Sequence, residues 1–588
     1  MKNDTIHSTI KYSSLLILFL FAFSLLSAQY DEKAIMLNQA QSFENLNQLA
    51  RAQQIYQDLL RKYPNDHIIV QRLYQSHFRL SEFDKADNLI ENKKAVVSKV
   101  FYTQSKITLL CKNNRIEEAE ALADSYIKDN PNLVNNYQFV AIVFEQNQLH
   151  ELALKYYLSA RKISNNGKLY AYEIANDYFQ LMDYKSAIKE YVVNLEQNKP
   201  FLYITNSRFK EIIEKDSTLI SLIEKYCASS NVEEVRELLA LSLVELARYD
   251  DAINVYNSLS IDKFIKFADD LYAKAFYQVA LQAYEMITEK LNNNPVKLAE
   301  IQYKIALVYY DKKDYEHAKS YVNQIIQTKE LSNNQLKYRT KVHFEARLLY
   351  ANMLIIENVK KEKVLEAYDD AEKFIFNTND KKNISFQKVH YLTMKEYYKE
   401  SEYLLNQTVQ NEEYGSPIIS KSLYYRYELY LMQNDDRADS LMTEFIINSP
   451  DDSATNDMLF LSVFVNSLAK DKKQSFLKAY RLKQIYQDAQ AIEELRVLIS
   501  DYQNDELKLL LAEWLLDDFQ IDEAKTVYAG GFTNEVYTDF AKLELVRLEE
   551  EQGTRRSHIT DYLISNPNGA FSPLFRQLLI KGYTNKGV

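Results

Sequence analysis

Small and apolar residues recur along this chain at helical spacing and at the same offsets each time. In RAQQIYQDLLRKYPND, Tyr56 follows Ala52 at +4, Leu59 at +7 and Pro64 at +12. Ala119 is followed in the same way by Ala123, Tyr126 and Pro131, and Ala438 by Met442, Phe445 and Pro450. Offsets of four and seven stay on one face of an α-helix, so each stretch predicts an amphipathic helix closed by a proline. Ala52 and Ala86 are 34 residues apart, as are Ala119 and Ala153, and Ala153 and Ala187. Tyr157 and Tyr191 keep the +4 position, and later copies stand at Ala252 with Tyr256, Ala280 with Tyr284, Ala318 with Val322, and Ala524 with Tyr528.

A second series precedes the first. Twelve residues before key alanines stand Ala40, Ala141, Ala175, Ala240, Ala306 and Ala512, and three further on come Phe43, Phe144, Tyr178, Leu243, Tyr309 and Leu515. Each period therefore predicts two helices. Antiparallel helices approach to about 8–10 Å where one offers a small side chain, and an aromatic one turn away fills the remaining wedge. A single pair leaves an apolar face uncovered, so the pairs must stack. From about residue 33 to 567 this pattern resembles the tetratricopeptide repeats, whose unit has this length and this order of small, aromatic and closing proline positions. The resemblance implies an all-α fold, an α-solenoid in which tandem helix-turn-helix units wind into a right-handed superhelix.

Breaks in the register divide the chain. The expected organisation is a leader at 1–28, an N-terminal array at 29–198, a degenerate helical repeat at 199–231 around Pro200, a central array at 232–410, a C-terminal array at 411–567 and a capping helix with tail at 568–588. Thr328 to Gln335 and Asn377 to Asn383, polar and rich in Asn, are expected to be loops. Asn411 to Pro417 is expected to be a longer connection or a bend.

Composition agrees. Eight Gly and eight Pro in 588 residues are about 3%, against the roughly 12% of ordinary chains. That excludes sandwiches and barrels, which need a turn signal every 8–12 residues or so. The charge, 71 Lys plus Arg against 82 Asp plus Glu, gives −11 without long blocks, which argues against a nucleic-acid partner. Lys2 and Lys11 precede the apolar run Leu15 to Leu26, which exits through Ser27, Ala28 and Gln29. This reads as a secretory signal peptide cleaved after Ala28, too short for a permanent membrane span. Gln29, not Cys, stands immediately after the cleavage point, so the expected mature chain is exported to the periplasm or medium, is not a lipoprotein, and has no transmembrane segment once the signal is removed. Cys111 and Cys227, 116 residues apart, are expected to stay unpaired in a stack whose units touch only their neighbours.

Catalytic and metal signatures were sought. The two Cys and eight His form neither CxxC nor HExxH, and there is no GxxxxGK[ST], GxGxxG or GxSxG. Adjacent acids such as Glu117 and Glu118 or Asp250 and Asp251 suit first helical turns, where they complement the helix dipole. Glu400 and Ser401 stand within a plain helix. No enzyme activity and no cofactor are expected.

In the repeats that the chain resembles, first-helix positions 2, 5, 9 and 12 line the concave groove. Transferred here, they give Asn135, Gln138, Ile142 and Glu145, then Leu169, Tyr172, Asn176 and Phe179, and later Glu300, Tyr303, Leu307 and Tyr310. The candidate contacts among them are Asn135, Gln138, Glu145, Tyr172, Asn176, Phe179, Tyr303 and Tyr310. Rings and amides of this kind suit a protein partner or an extended peptide, and they equally suit a solvated inner wall. The 46 Tyr exceed what the repeat positions use, which fits either surface contacts or coding bias. The combination of export signal and repeats resembles large secreted repeat proteins of the Bacteroidota, and implies a non-enzymatic scaffold in the cell envelope. The alternatives are a glycan-binding protein of the outer-membrane sugar-uptake type and the superhelical body of a peptidoglycan-active enzyme.

Overall fold

A computed structural model describes residues 32–584, apart from 229, 292, 336, 338, 411, 414, 415, 449, 451, 452 and 550. The expected signal peptide lies outside the described residues. Among those described there is no strand, and the protein is an all-α solenoid of stacked helix hairpins. They form two compact units, one ending at Leu246 and the other beginning at Ala247.

The first unit starts with the helix at 32–45 against Leu49–Lys62, and continues through hairpins such as Val134–Gln146 with His150–Ser164 and Ala171–Gln180 with Tyr184–Gln197. Leu202–Lys215, Ile220–Cys227 and Glu233–Glu245 complete it. In the second unit, Ile261–Ala273 pairs with Tyr277–Glu289, Pro295–Asp311 with Tyr315–Gln327, Thr378–Met394 with Tyr398–Val409, and Pro417–Met432 with Arg437–Asn448. Ser453–Ser467 then stands between hairpins. Beyond it come Lys470–Gln484 with Asp488–Asp501, Asp505–Asp517 with Ile521–Ala529, and Glu535–Arg547 with Gln552–Ser565. The terminal helix Ser572–Thr584 lays Phe575 on Tyr562, ring centroids 3.9 Å apart.

The alanines found by spacing are buried in the core. Ala40, Ala52, Ala153, Ala187, Ala306 and Ala524 are fully buried, as are Tyr157, Tyr191 and Tyr284 at the +4 position. The same register runs on where the small residue changes identity: Val364 with Tyr368, Ser401 with Leu405, and Ala491 with Leu495 are all buried at equivalent points. Ser401 has its hydroxyl satisfied by the Val389 carbonyl, 3.1 Å, and by Thr393 Oγ1, 2.7 Å, so a polar atom enters the core without an unmet hydrogen bond.

The turns inside hairpins share one device. Asn47, Ser81, Asn114, Gln148 and Met182 in the first unit, and Ala275, Lys313, Glu396, Tyr486 and Phe519 in the second, all have φ near +60°. Each lies five residues before the small residue of the next helix. The amide of the residue that follows bonds back to a carbonyl five positions earlier, as in Asp183 to Tyr178 (2.9 Å) and Gln520 to Leu515 (2.8 Å), which closes a Schellman turn. That left-handed position ordinarily selects glycine, and none of these turns has one. Between hairpins the chain instead uses side-chain caps, including Asp66, Ser98, Asn294 and Asn504.

Asn377 to Asn383 is not a loop. Asn377 and Asp380 form a reciprocal capping box, with the Asp380 amide on Asn377 Oδ1 at 3.0 Å and the Asn377 amide on Asp380 Oδ2 at 3.1 Å. The polar run that suggested a loop is the start of the helix Thr378–Met394.

Within the second unit, turns far apart in sequence meet. Lys313 Nζ pairs with Asp488 and, at 3.1 Å, with Asp518, while the Tyr310 and Tyr486 rings meet edge to face at 6.3 Å. Gln487 Nε2 donates to the Ile356 carbonyl at 3.0 Å.

Candidate functional site

The expected groove residues occupy the first helices of their hairpins. On Val134–Gln146, Asn135 is exposed and Gln138 half-buried, while Glu145 accepts a hydrogen bond from Tyr157 Oη at 3.0 Å. On Ala171–Gln180, Tyr172 meets Phe201 edge-on at 4.9 Å, Asn176 Oδ1 accepts from Tyr191 Oη at 2.6 Å, and Phe179 lies under the Arg208 guanidinium at 4.7 Å. Tyr303 and Tyr310 share the helix Pro295–Asp311 in the other unit. Both are half-buried, with hydroxyl pKa values raised chiefly by burial.

Glu145 and Asn176 belong to a repeating relationship. A buried Tyr on the second helix reaches through to a polar group on the first: Tyr284 to Asp269 at 2.6 Å, Tyr368 to Asn352 at 2.9 Å, and Tyr56 to Glu44. Burial, with the Glu44 charge beside it, pushes the Tyr56 hydroxyl up to about 12. Tyrosine rather than phenylalanine therefore suits this position because the ring fills the wedge while its hydroxyl anchors the first helix.

Two concavities stand out. In the first unit a cleft of about 340 Å³ is lined by Tyr74, Phe78 and Phe101 with Glu44, Arg72 and Arg79. Its one carboxylate is shared between two cations, for Glu44 lies 3.9 Å from Arg72 and 4.0 Å from Arg79. In the second unit a groove of about 680 Å³ runs over five helices, from Pro417–Met432 through Ser453–Ser467, Lys470–Gln484 and Asp505–Asp517 to Glu535–Arg547, and reaches Phe571. Its walls are mainly aromatic and aliphatic, with Tyr427, Phe464, Phe476, Tyr480, Trp514 and Phe540 among them. Phe460 and Val536, 66% and 52% exposed, leave an apolar rim open to solvent.

The charged groups of this groove fall into two sets. Glu428, almost wholly buried, is held by His390 Nδ1 at 2.9 Å and by Tyr424 Oη at 3.3 Å. Burial alone would lower the His390 pKa, but the Glu428 carboxylate and the Gln484 backbone raise it above the ordinary histidine value. Lys483, the groove's one lysine, is already engaged by Asp488 at 3.1 Å and Asp517 at 3.2 Å. Asp457, Glu506 and Glu513 have no cationic partner among the described residues. Glu506 accepts from Tyr537 Oη at 2.8 Å, and desolvation, with Asp517 and Glu544 nearby, raises the Glu513 pKa.

Stacked hairpins of this length, with a small residue at each crossing, set the frame for comparison with known proteins. Residues 34–66 match the family model described as tetratricopeptide repeat. Over 248 residues the chain is 23% identical to tetratricopeptide repeat protein 21A of Mus musculus, which covers 37% of this chain and 19% of that protein. The chain thus spans about a fifth of the length of this curated relative. Among solved structures, Naa15/Naa10 bound to HypK-THB aligns with 94% of this chain and 79% of that one, at 15% identity and a TM-score of 0.24. The C-terminal part of a TPR repeat-containing protein from Cytophaga hutchinsonii aligns with 50% of this chain and 95% of that one, at 16% identity and a TM-score of 0.20.

The position rule of the tetratricopeptide repeats also locates the groove that sequence reading passed over. Counted from Ala512 as Asn135 and Gln138 were counted from Ala141, it returns Glu506, Leu509, Glu513 and Leu516, and from Ala479 it returns Lys473, Phe476, Tyr480 and Lys483. Six of these eight line the groove; Lys473 and Leu516 do not. Trp514 is 5% exposed and contributes to the groove wall. Elsewhere, Cys111 and Cys227 are free thiols, and burial pushes Cys227 up to about 12, which suits packing rather than nucleophilic chemistry. Glu400 is bound by Lys361 at 2.8 Å. Among the described residues no group of three or more His, Cys, Asp or Glu is placed to hold a metal ion, and no helix is long and apolar enough to cross a membrane.

Proposed function

We propose that this chain is an exported, non-enzymatic scaffold that holds protein partners on its groove walls in the bacterial cell envelope. Tetratricopeptide repeats are stacked so that first helices present successive side chains to one wall, and protein partners are the occupants such repeats imply. The observation that carries the reading is the groove of the second unit, about 680 Å³ of largely apolar wall with an exposed rim. Apolar walls of this size and exposure mark interaction sites rather than solvated surface. Export rests on the leader pattern from Lys2 to Ala28. Sugar platforms are commonly built on open tryptophan faces, whereas the chain's single tryptophan, Trp514, is 5% exposed, which favours a peptide over a glycan.

Pull-down from envelope extracts, with the mature chain as bait, tests this. Recovery of a defined protein partner supports it, and retention on glycan or peptidoglycan with no protein partner overturns it. Cell fractionation with N-terminal sequencing tests export, for which a mature start at Gln29 is expected.

A further inference from the structure

Resting on the scaffold reading, the groove of the second unit carries a more specific conclusion about what it takes. We infer that it receives a partner segment in which apolar side chains alternate with lysine or arginine.

Charge makes the selection. Five charged side chains line the groove: Glu428, Asp457, Lys483, Glu506 and Glu513. Two are spent internally, since Glu428 holds His390 and Lys483 holds Asp488 and Asp517. The remaining three are carboxylates, with no cation opposite them among the described residues. They come from two helices, Ser453–Ser467 and Asp505–Asp517, with Phe464, Phe476, Tyr480 and Trp514 in the same groove. An apolar segment alone would cover these carboxylates and strand them in a dry site, which is costly. A segment that carries cations meets them and adds cation–π contact with the rings. An acidic segment meets repulsion from all three carboxylates. The first unit's cleft lacks this selectivity because Glu44 already faces Arg72 and Arg79.

Trp514 is the chain's single tryptophan and lies in the groove, so its emission reports occupancy directly. The full mature chain is titrated with short capped peptides that alternate leucine and phenylalanine with lysine, with glutamine, or with glutamate. The expected result is a Trp514 emission change with the lysine peptide, at an affinity at least about ten-fold above that of the glutamate peptide, the equivalent of about 1.4 kcal/mol. The triple variant Asp457→Asn, Glu506→Gln, Glu513→Gln should bring the two affinities within about two-fold while helicity by circular dichroism is unchanged. If the triple variant misfolds, Glu513→Gln alone should still narrow the preference. Equal affinity for lysine and glutamate peptides overturns the inference, as does a preference that survives neutralisation. So does saturation by an alkyltrimethylammonium with no response to any peptide. Envelope pull-down with the triple variant separates this conclusion from the scaffold reading. A partner lost by the variant supports both; one held equally by native and variant chains keeps the scaffold and overturns the groove assignment.

Discussion

Tyr191 Oη donates to Asn176 Oδ1 across 2.6 Å, joining the second helix of a hairpin to its first. The bond fixes the amide of a residue that sequence alone offers as a partner contact. Tyr191→Phe should cost about 1 kcal/mol, and Asn176→Ala about 1–3 kcal/mol, because the second leaves the buried O–H without its acceptor, Arg208 beside it being able only to donate. Asn176→Asp retains the acceptor and should cost less than the alanine. Urea denaturation, with hydrogen exchange read over residues 171–197, measures all three; an alanine cost no larger than the phenylalanine cost would show that the hydroxyl is not stranded.

Met182 and Phe519 occupy left-handed turn positions at φ +59° and +58° and are 75% and 56% exposed, so little packing is lost on truncation. Glycine there relieves backbone strain of about 1–2 kcal/mol and costs part of that in unfolded-state entropy. Met182→Gly and Phe519→Gly should each stabilise by about 0.5–1 kcal/mol, seen as a raised urea midpoint. Leu181→Gly, one residue earlier, should destabilise.

Asp177 is buried on Ala171–Gln180, with His150 Nδ1 2.9 Å from one oxygen and Glu145 and Glu173 nearby. Burial raises its pKa from 3.8 to about 6. The folded state therefore keeps a proton that the unfolded chain releases, so stability falls as pH rises from about 4 to about 6 and stays lower above that. Asp177→Asn removes this component. The expected gain at pH 7 is on the order of 2 kcal/mol, with a flatter stability profile between pH 4 and 6.

His390 and Glu428 give the opposite sign in the second unit. The raised histidine pKa means that their pairing stabilises fully below about pH 6.5 and is lost as pH rises through the folded value. Replacement by glutamine leaves Glu428 without its cation, so His390→Gln should cost about 2–3 kcal/mol at pH 6 and less at pH 9. Thermal melts followed by Trp514 emission read this unit alone, because the other holds no tryptophan.

The hairpin architecture was legible from Ala52, Ala153 and Ala187, because a small residue at a helix crossing has no substitute that leaves the spacing unchanged. Val364 and Ser401 are not legible from an alanine spacing, because the crossing accepts any side chain of modest volume whose polar atom is satisfied. Asn377 misled because asparagine caps helices as readily as it builds loops. For the candidate site, the position rule placed Asn135, Tyr172 and Tyr303 on the first helices of their hairpins. What it could not weigh was engagement: the hydroxyls behind Glu145 and Asn176, and the paired state of Lys483 against the unpaired state of Glu513, arise from residues on other helices.

The meeting of Lys313 with Asp488 and Asp518 changes how the second unit comes apart. In an open stack each hairpin touches only its neighbours, and melting begins at whichever end is weakest. Here contacts 175 and 205 residues apart in sequence fasten the hairpins between them into a hoop. Those hairpins have no free end from which to fray, so they should gain cooperativity in unfolding and pay for it in slow, high-contact-order closure on folding.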